Sequence, residues 1–162
     1  MSLLKPAEYR KNIEDINLDK LLSEGKRALI IDLEGTVVPK EKWEIPPLKA
    51  EWLNKARSLG FRVCFLSNTF FGKKSRVIAS ELQAPIIPVA LKPLPFGFLR
   101  ALRKLNEKAG NTVMIGDQLF MDILGANILG IHTILVDPIT GEKNYFRKLM
   151  RHAEDWVYKK NQ

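Results

Sequence analysis

Polar side chains stand directly after apolar runs at several places in this sequence. Asp32, Glu34 and Thr36 follow Ala28 to Ile31, and Ser67 and Asn68 follow Val63 to Leu66. Lys92 precedes Pro93, and Asp117 follows Gly116, with Asp122 about one helical turn further on. Brought together, these groups supply hard oxygen ligands for a divalent cation, a fixed positive charge, hydroxyl and amide groups for anionic oxygens, and a carboxylate to move a proton. That inventory suits phosphoryl transfer, in which a protein must provide a nucleophile, charge neutralisation and positioning. Asp32 would attack phosphorus to form an aspartyl phosphate. A phosphate repels an anionic nucleophile, so a cation must stand between them, and Asp32 and Asp117 are read as holding Mg2+. Lys92 adds a second positive charge. Ser67 and the neighbouring N–H groups would hold phosphate oxygens, and Glu34 would protonate the leaving oxygen and then activate water.

Each residue also has a plainer reading. Asp32 alone is as well explained as a turn or cap residue. Ser67 and Asn68 commonly bond to nearby backbone in turns. Lys92 before a proline is usually a solvated loop charge. Asp117 could cap a helix, and Asp122 could complement a helix dipole; for Asp122 the structural and functional readings are evenly matched. What favours chemistry is that all of them fall at the ends of successive apolar segments.

Those segments read as strands: Ala28 to Leu33, Arg62 to Ser67, Ile86 to Val89, Thr112 to Ile115 and His132 to Val136. Their apolar character is continuous rather than alternating, as in a parallel sheet covered on both faces. Amphipathic stretches at Leu48 to Leu59, Lys73 to Leu82, Pro95 to Lys108 and Phe120 to Leu129 read as the covering helices. Gly60, Gly110 and Gly130 stand where left-handed helix ends are wanted. The expectation is an α/β, three-layer Rossmann-like domain with a central five-stranded parallel sheet. It is read as a single domain over 1–162: an irregular N-terminal extension (1–27) with a short helix near Leu18 to Ser23, a core (28–140) and a C-terminal helix (141–162, helical from Asn144 to Lys159). In such a sheet ligands collect outside the carboxyl ends of the strands, where the polar residues fall.

The bulk composition bounds the function. With 46% hydrophobic and 27% charged residues, the chain has the balance of a globular domain. No apolar run approaches membrane-spanning length and the start lacks a signal-peptide core, so a cytoplasmic setting is the default expectation. Cys64, the single cysteine, cannot form an internal disulfide and sits in an apolar run as a small buried hydrophobe. Lys and Arg number 26 against 18 Asp and Glu, a formal charge of +8 that favours an anionic partner: nucleic acid, anionic lipid or a phosphorylated metabolite. His132 and His152 have no partner at ligand spacing. Trp43, Phe70, Phe71 and Phe96 fall in loops near the expected mouth of the site, with core packing as their default role. An interfacial role is the alternative for Phe70-Phe71-Gly72-Lys73-Lys74. The basic tail Arg147 to Arg151 reads as the wet face of a helix.

The segments Asp32-Leu33-Glu34-Gly35-Thr36, Leu66-Ser67-Asn68, Lys92 and Gly116-Asp117 through Asp122 resemble the four motifs of the haloacid-dehalogenase superfamily, in order. The opening Leu3-Leu4-Lys5-Pro6, the stretch Glu14-Asp15-Ile16 and Lys92-Pro93 further resemble the capless YqeG-type subgroup, whose eukaryotic relatives include phosphatidylglycerophosphate phosphatases. The resemblance implies Asp32 as nucleophile and metal ligand, Lys92 as stabilising cation and Asp117 as a metal ligand, with Asp122 a ligand or a partner of one. It places Thr36, Ser67 and Asn68 with the substrate, Asn68 positioning either the phosphate or its loop. Glu34 departs from the pattern, which has Asp there. It keeps the carboxyl on a longer arm, so either slower turnover or an acid/base role shared with water is expected, while its backbone carbonyl could still bind the metal. Thr36 to Leu48 and Thr69 to Lys92 leave no room for a sizeable cap. An open crevice suits a phosphate carried on a protein, a nucleic acid end or a lipid headgroup, and phosphatidylglycerophosphate at an anionic membrane surface fits both openness and charge. The competing reading is a catalytically weak or inactive module that binds nucleic acid or a protein through its basic surface.

Overall fold

The computed structural model of the chain describes residues 2–40, 42–70 and 73–139, without the side chains of 73–76. The helix expected over Asn144 to Lys159, together with Phe71, Gly72, His152 and the side chains of Lys73 and Lys74, lies outside them. In chain order the elements are β1 (Glu8–Arg10), α1 (Leu18–Ser23), β2 (Ala28–Asp32), α2 (Pro47–Ser58), β3 (Arg62–Leu66), α3 (Lys73–Leu82), β4 (Ile86–Ile87), α4 (Pro95–Leu105), β5 (Thr112–Gly116), α5 (Leu124–Ile128) and β6 (His132–Val136). A π-helical turn, Leu119–Ile123, leads into α5.

The strands form one parallel sheet in the order β1-β6-β5-β2-β3-β4. It has six strands, not the five expected. The additional one, β1, lies in the N-terminal segment read as irregular and pairs Glu8, Tyr9 and Arg10 with Ile134, Leu135 and Val136. Its residues offer no apolar run because an edge strand needs only its neighbour's ladder. An ion pair from Glu8 to Arg10 at 2.6 Å and a hydrogen bond between Glu8 and the His132 ring at 3.1 Å add to it.

Alternate side chains of the central strands feed opposite apolar layers, as a two-faced sheet requires. Leu29 and Ile31 of β2, Phe65 of β3 and Ile115 of β5 face Trp52, Leu53 and Ala56 of α2, with Ile78 of α3 and Leu21 of α1 in the same cluster. Ile30, Cys64, Leu66 and Met114 join Phe98, Ala101 and Leu105 of α4 and Ala126 of α5 on the other face. Each large side chain buried this way contributes about 1.5–3 kcal/mol, so the strand ends are held by a core well able to fix them. Burial pushes the Cys64 thiol up to about 12, which leaves it an inert core residue.

Two helix ends differ from expectation by more than a residue: α5 begins at Leu124, after the π-helical turn, rather than at Phe120, and α4 ends early. Gly60 and Gly130 do adopt positive φ, 89° and 72°. Gly110 does not serve α4, which ends earlier at Asn106 in the left-handed region (φ 50°), an amide side chain taking the place expected for glycine. Close packing of α4 on α5 depends on Gly125, where an added Cβ would lie 2.5 Å from the ring of Phe98.

Candidate active site at the carboxyl end of the sheet

Parallel pairing of β3, β2 and β5 brings their carboxyl ends side by side, Asp32 being level with Leu66. Asp32 closes β2, Ser67 and Asn68 follow β3, and Asp117 follows β5. Asp122 returns from the π-helical turn, where its backbone N–H bonds to the Gln118 carbonyl at 2.8 Å and its Oδ2 accepts from the Gln118 N–H at 3.1 Å. This double tie aims the carboxylate back at the strand end. Gly116 makes room for it, since a Cβ at that position would collide with the Asp122 carboxylate. Gly35, at φ 87°, does the same for Asp117, whose Oδ2 would lie 2.8 Å from an added Cβ.

Carboxylate oxygens of Asp32, Asp117 and Asp122 all lie within 4.8 Å of one another, and the three residues are buried. Lys92, also buried, places Nζ 2.5 Å from Asp32 Oδ1 and 2.7 Å from Asp122 Oδ1. Thr36 donates its hydroxyl to Asp32 Oδ2 at 3.1 Å and stands 3.4 Å from Asp117 Oδ1. The electrostatics follow from this crowding. Desolvation, and then the charges of Asp122 and Asp117, push the Asp32 carboxyl well above its ordinary value against the pull of Lys92. Desolvation and Asp122 likewise raise Asp117, with a hydrogen bond to Asp32 and then the Lys40 charge pulling the other way. Burial alone would lower the Lys92 ammonium, but the Asp122 and Asp32 charges outweigh it and hold it above the usual lysine value. At this spacing each carboxylate pair repels by roughly 3 kcal/mol at an effective dielectric of about 20. One ammonium cannot offset three carboxylates. The donor set, oxygens only, clustered and short of positive charge, therefore fits a hard divalent cation.

Glu34 stands apart from that cluster. Ser67 Oγ lies 2.8 Å from both oxygens of its carboxylate and donates to it, and Oγ in turn accepts from the Thr69 N–H at 3.1 Å. Glu34 is fixed by a tight turn, in which Gly35 N–H bonds to the Val38 carbonyl at 2.7 Å. Asn68 is used on the loop: its Oδ1 accepts from the Lys92 N–H at 2.8 Å and its Nδ2 donates to the Lys92 carbonyl at 3.1 Å. A cavity of about 210 Å³ opens over these groups, lined by Asp32, Glu34, Asn68 and Lys92 together with Lys40, Thr69, Gln118 and Met121.

Residue types and spacing assign no role to Lys40 or Gln118, nor to Gly35 and Gly116 beyond their place in the motifs. Lys40 is an exposed cation at this cavity. Its proximity could have been inferred only from the tight turn that brings the chain back over Asp32. Of the aromatics read as near the mouth, Trp43 packs against the core, whereas Phe70 and Phe96 are exposed. His132 pairs with Glu8 at the opposite end of the sheet and has no part in the site. No long connection covers the cavity among the described residues, so the domain carries no large cap there. Among those residues no helix is long and apolar enough to cross a membrane.

Comparison with known proteins agrees with this geometry. Residues 89–157 match the family described as HAD-hydrolase-like. The chain is 34% identical over 149 residues to the "Probable phosphatase YqeG" of Bacillus subtilis (strain 168), covering 92% of this chain and 86% of that protein. Among solved structures, the p-nitrophenyl phosphatase from Archaeoglobus fulgidus aligns with a TM-score of 0.58 at 16% identity, over 79% of this chain and 93% of that one. The cobalt-bound deoxy-D-mannose-octulosonate 8-phosphate phosphatase from Haemophilus influenzae aligns with a TM-score of 0.56 at 14% identity, over 72% and 70%. These two show a shared fold.

Proposed function

The chain belongs to the haloacid-dehalogenase superfamily of hydrolases, close to the YqeG-type phosphatases, and from that premise we propose that it hydrolyses phosphomonoesters through an aspartyl phosphate on Asp32. The observation that carries the reading is the convergence of the Asp32, Asp117 and Asp122 carboxylates with the Lys92 ammonium at one mouth.

Asp32 is the nucleophile. As one of its oxygens bonds to phosphorus, the ester P–O bond breaks and the leaving alkoxide takes a proton from Glu34. In the second half Glu34 accepts a proton from water as that water attacks phosphorus, which breaks the acyl phosphate bond and frees inorganic phosphate and Asp32. Lys92 holds Asp32 by Oδ1 and Thr36 holds it by Oδ2, so the attacking carboxylate is oriented before substrate arrives. Asp32, Asp117 and Asp122 are the side chains that would hold Mg2+, with the Glu34 carbonyl a further oxygen. When bound, the ion offsets the repulsion between nucleophile and phosphate and polarises a phosphate oxygen. Ser67 steadies the proton-transferring Glu34 and, once that carboxylate turns to the substrate, offers its hydroxyl to a phosphate oxygen.

The substrate we propose is a large or lipid phosphate such as phosphatidylglycerophosphate. The absence of a large cap over the cavity and the formal charge of +8 both support it. The test is turnover of an aryl phosphate with Mg2+, with EDTA and by Asp32→Asn, followed by a panel of phosphorylated lipids, nucleotides and sugars. Activity that needs the metal and Asp32 supports the mechanism, and confinement to soluble sugar phosphates would defeat the lipid assignment. The Ser67–Glu34 hydrogen bond, with Glu in place of the family's Asp, favours one second reading: a module without catalysis that binds polyanions. Salt-sensitive polyanion binding without any turnover would establish it.

A further inference from the structure

The segment that carries Lys92 is built in an unusual way. Val89 and Leu91 adopt left-handed backbone angles, φ 48° and 57°, a costly conformation for any side chain and most of all for a β-branched one. Between them Ala90 is buried, and no Cβ could be accommodated at Gly97 without striking it, so the turn is clamped onto α4. The result is outward display: Val89 is 40% exposed, Leu91 and Leu94 52% and Phe96 59%. Phe70, 83% exposed, stands on the adjoining loop, which is tied to this one by the Val89 N–H to Thr69 carbonyl bond. A strained, clamped loop that holds large apolar side chains in solvent beside the site mouth calls for an apolar phase to receive them.

The backbone donors of this loop are largely satisfied within the protein. The N–H groups of Val89, Ala90, Lys92 and Leu94 bond to the carbonyls of Thr69 and Ser67, to Asn68 Oδ1 and to the Leu91 carbonyl. Pro88, Pro93 and Pro95 have no N–H to satisfy. Apart from Leu91, every backbone nitrogen from 88 to 95 is therefore either a proline or already bonded, which lowers the donor share of the cost of leaving water. The same fact leaves few free donors for a partner's strand to pair with. The formal charge of +8 adds attraction to an anionic surface.

We propose that the loop from Pro88 to Phe96, with Phe70, is a bilayer-docking face that seats the mouth of the site on an anionic membrane. Its purpose rests on the phosphatase reading, by bringing a headgroup phosphate to Asp32; the docking itself does not depend on turnover. The experiment is co-flotation of the full chain with vesicles of equal parts phosphatidylcholine and phosphatidylglycerol, alongside an aryl phosphatase assay. Leu94→Ser places a good N-cap residue before α4 and Phe96→Glu an acid in its first turn, so the double variant should fold. It is expected to lose at least about 10-fold in vesicle binding with unchanged aryl phosphate turnover. Ile128→Ser, an exposed apolar residue at the far end of α5, is expected to bind as wild type. No binding by the wild type, equal binding by the double variant, or a wild-type dimer that the double variant dissolves would each overturn the proposal. Vesicle binding without turnover of any phosphate would retain docking and reject the phosphatase.

Discussion

Asn68 grips Lys92 by both sides of its peptide backbone: the amide oxygen accepts from the Lys92 N–H at 2.8 Å, and the amide nitrogen donates to the Lys92 carbonyl at 3.1 Å. The grip links the loops after β3 and β4, and so sets where the Lys92 ammonium meets Asp32 and Asp122. Asn68→Ala should therefore lower kcat by roughly 10- to 100-fold, since a displacement of about 1 Å can cost that much. KM for an aryl phosphate should stay within a few fold. Steady-state kinetics decide it, and a rise in KM at constant kcat would instead assign the amide to substrate.

Much of this site was legible from residue types. Asp32, Asp117 and Asp122 could be gathered because a parallel sheet sets the carboxyl ends of its central strands side by side, and the apolar runs marked those strands. Two things were not legible. Strand β1 is a polar edge, Glu-Tyr-Arg, whose pairing depends on β6 rather than on a buried face, so hydrophobic pattern carries no trace of it. Nor could types and spacing decide what Asn68 and Ser67 bind. The structure spends the first on the Lys92 backbone and the second on Glu34, choices set by loop geometry that a sequence does not print.

Metal binding should be visible without turnover. Asp117 carries a carboxyl raised by desolvation and by Asp122, so its ionised form is disfavoured in the folded, metal-free protein. Asp117→Asn should then raise the metal-free Tm, while Mg2+ should raise the Tm of the wild type and not that of the variant. At a ligand concentration of about 100 times Kd the wild-type gain would be about 2.7 kcal/mol. Differential scanning calorimetry with and without Mg2+ reads both effects, and an equal Mg2+ shift in both proteins would remove Asp117 from the ligand set.

The Ser67–Glu34 hydrogen bond predicts a coupled pair. Removing the hydroxyl frees the carboxylate, and removing the carboxylate's charge leaves the hydroxyl with a weaker acceptor, so each change spoils the same proton-transfer geometry. Ser67→Ala and Glu34→Gln should each reduce kcat by about 10- to 1000-fold, and the double variant should lose far less than the product. Fully multiplicative losses in the cycle would show that the two act independently.

Acid stability should depend on Glu8, far from the site. Burial pushes this carboxyl up, but the His132 hydrogen bond and the charges of Lys20, Arg10 and His132 outweigh it, and the group sits below its ordinary value of 4.5. A carboxyl lowered in the folded state contributes stability above its unfolded value, and that contribution disappears as pH falls through the folded one. Glu8→Gln should thus lower the Tm at neutral pH, and the gap to wild type should close as pH drops below about 4.5. A gap that persists unchanged in acid would mean that Glu8 acts on β1 by packing rather than by charge.

Gly116 tests the site's architecture with a single methyl group. It ends β5 beneath the Asp122 carboxylate, and an added Cβ has no space there. Its φ is not in the left-handed region, so alanine is tolerated by the backbone and the whole effect must come from the collision. Asp122 is tied to Gln118 through both its N–H and its Oδ2, so it cannot yield without breaking one of those bonds or its 2.7 Å contact with Lys92. Gly116→Ala should therefore cost about 1–3 kcal/mol of stability, as overpacking usually does. It should also weaken Mg2+ binding by at least about 10-fold, because one carboxylate of three is displaced. Denaturant melts and Mg2+ titration monitored by Tm separate the two losses. Reduced stability with intact Mg2+ affinity would mean that Asp122 serves the fold and Lys92 rather than the metal.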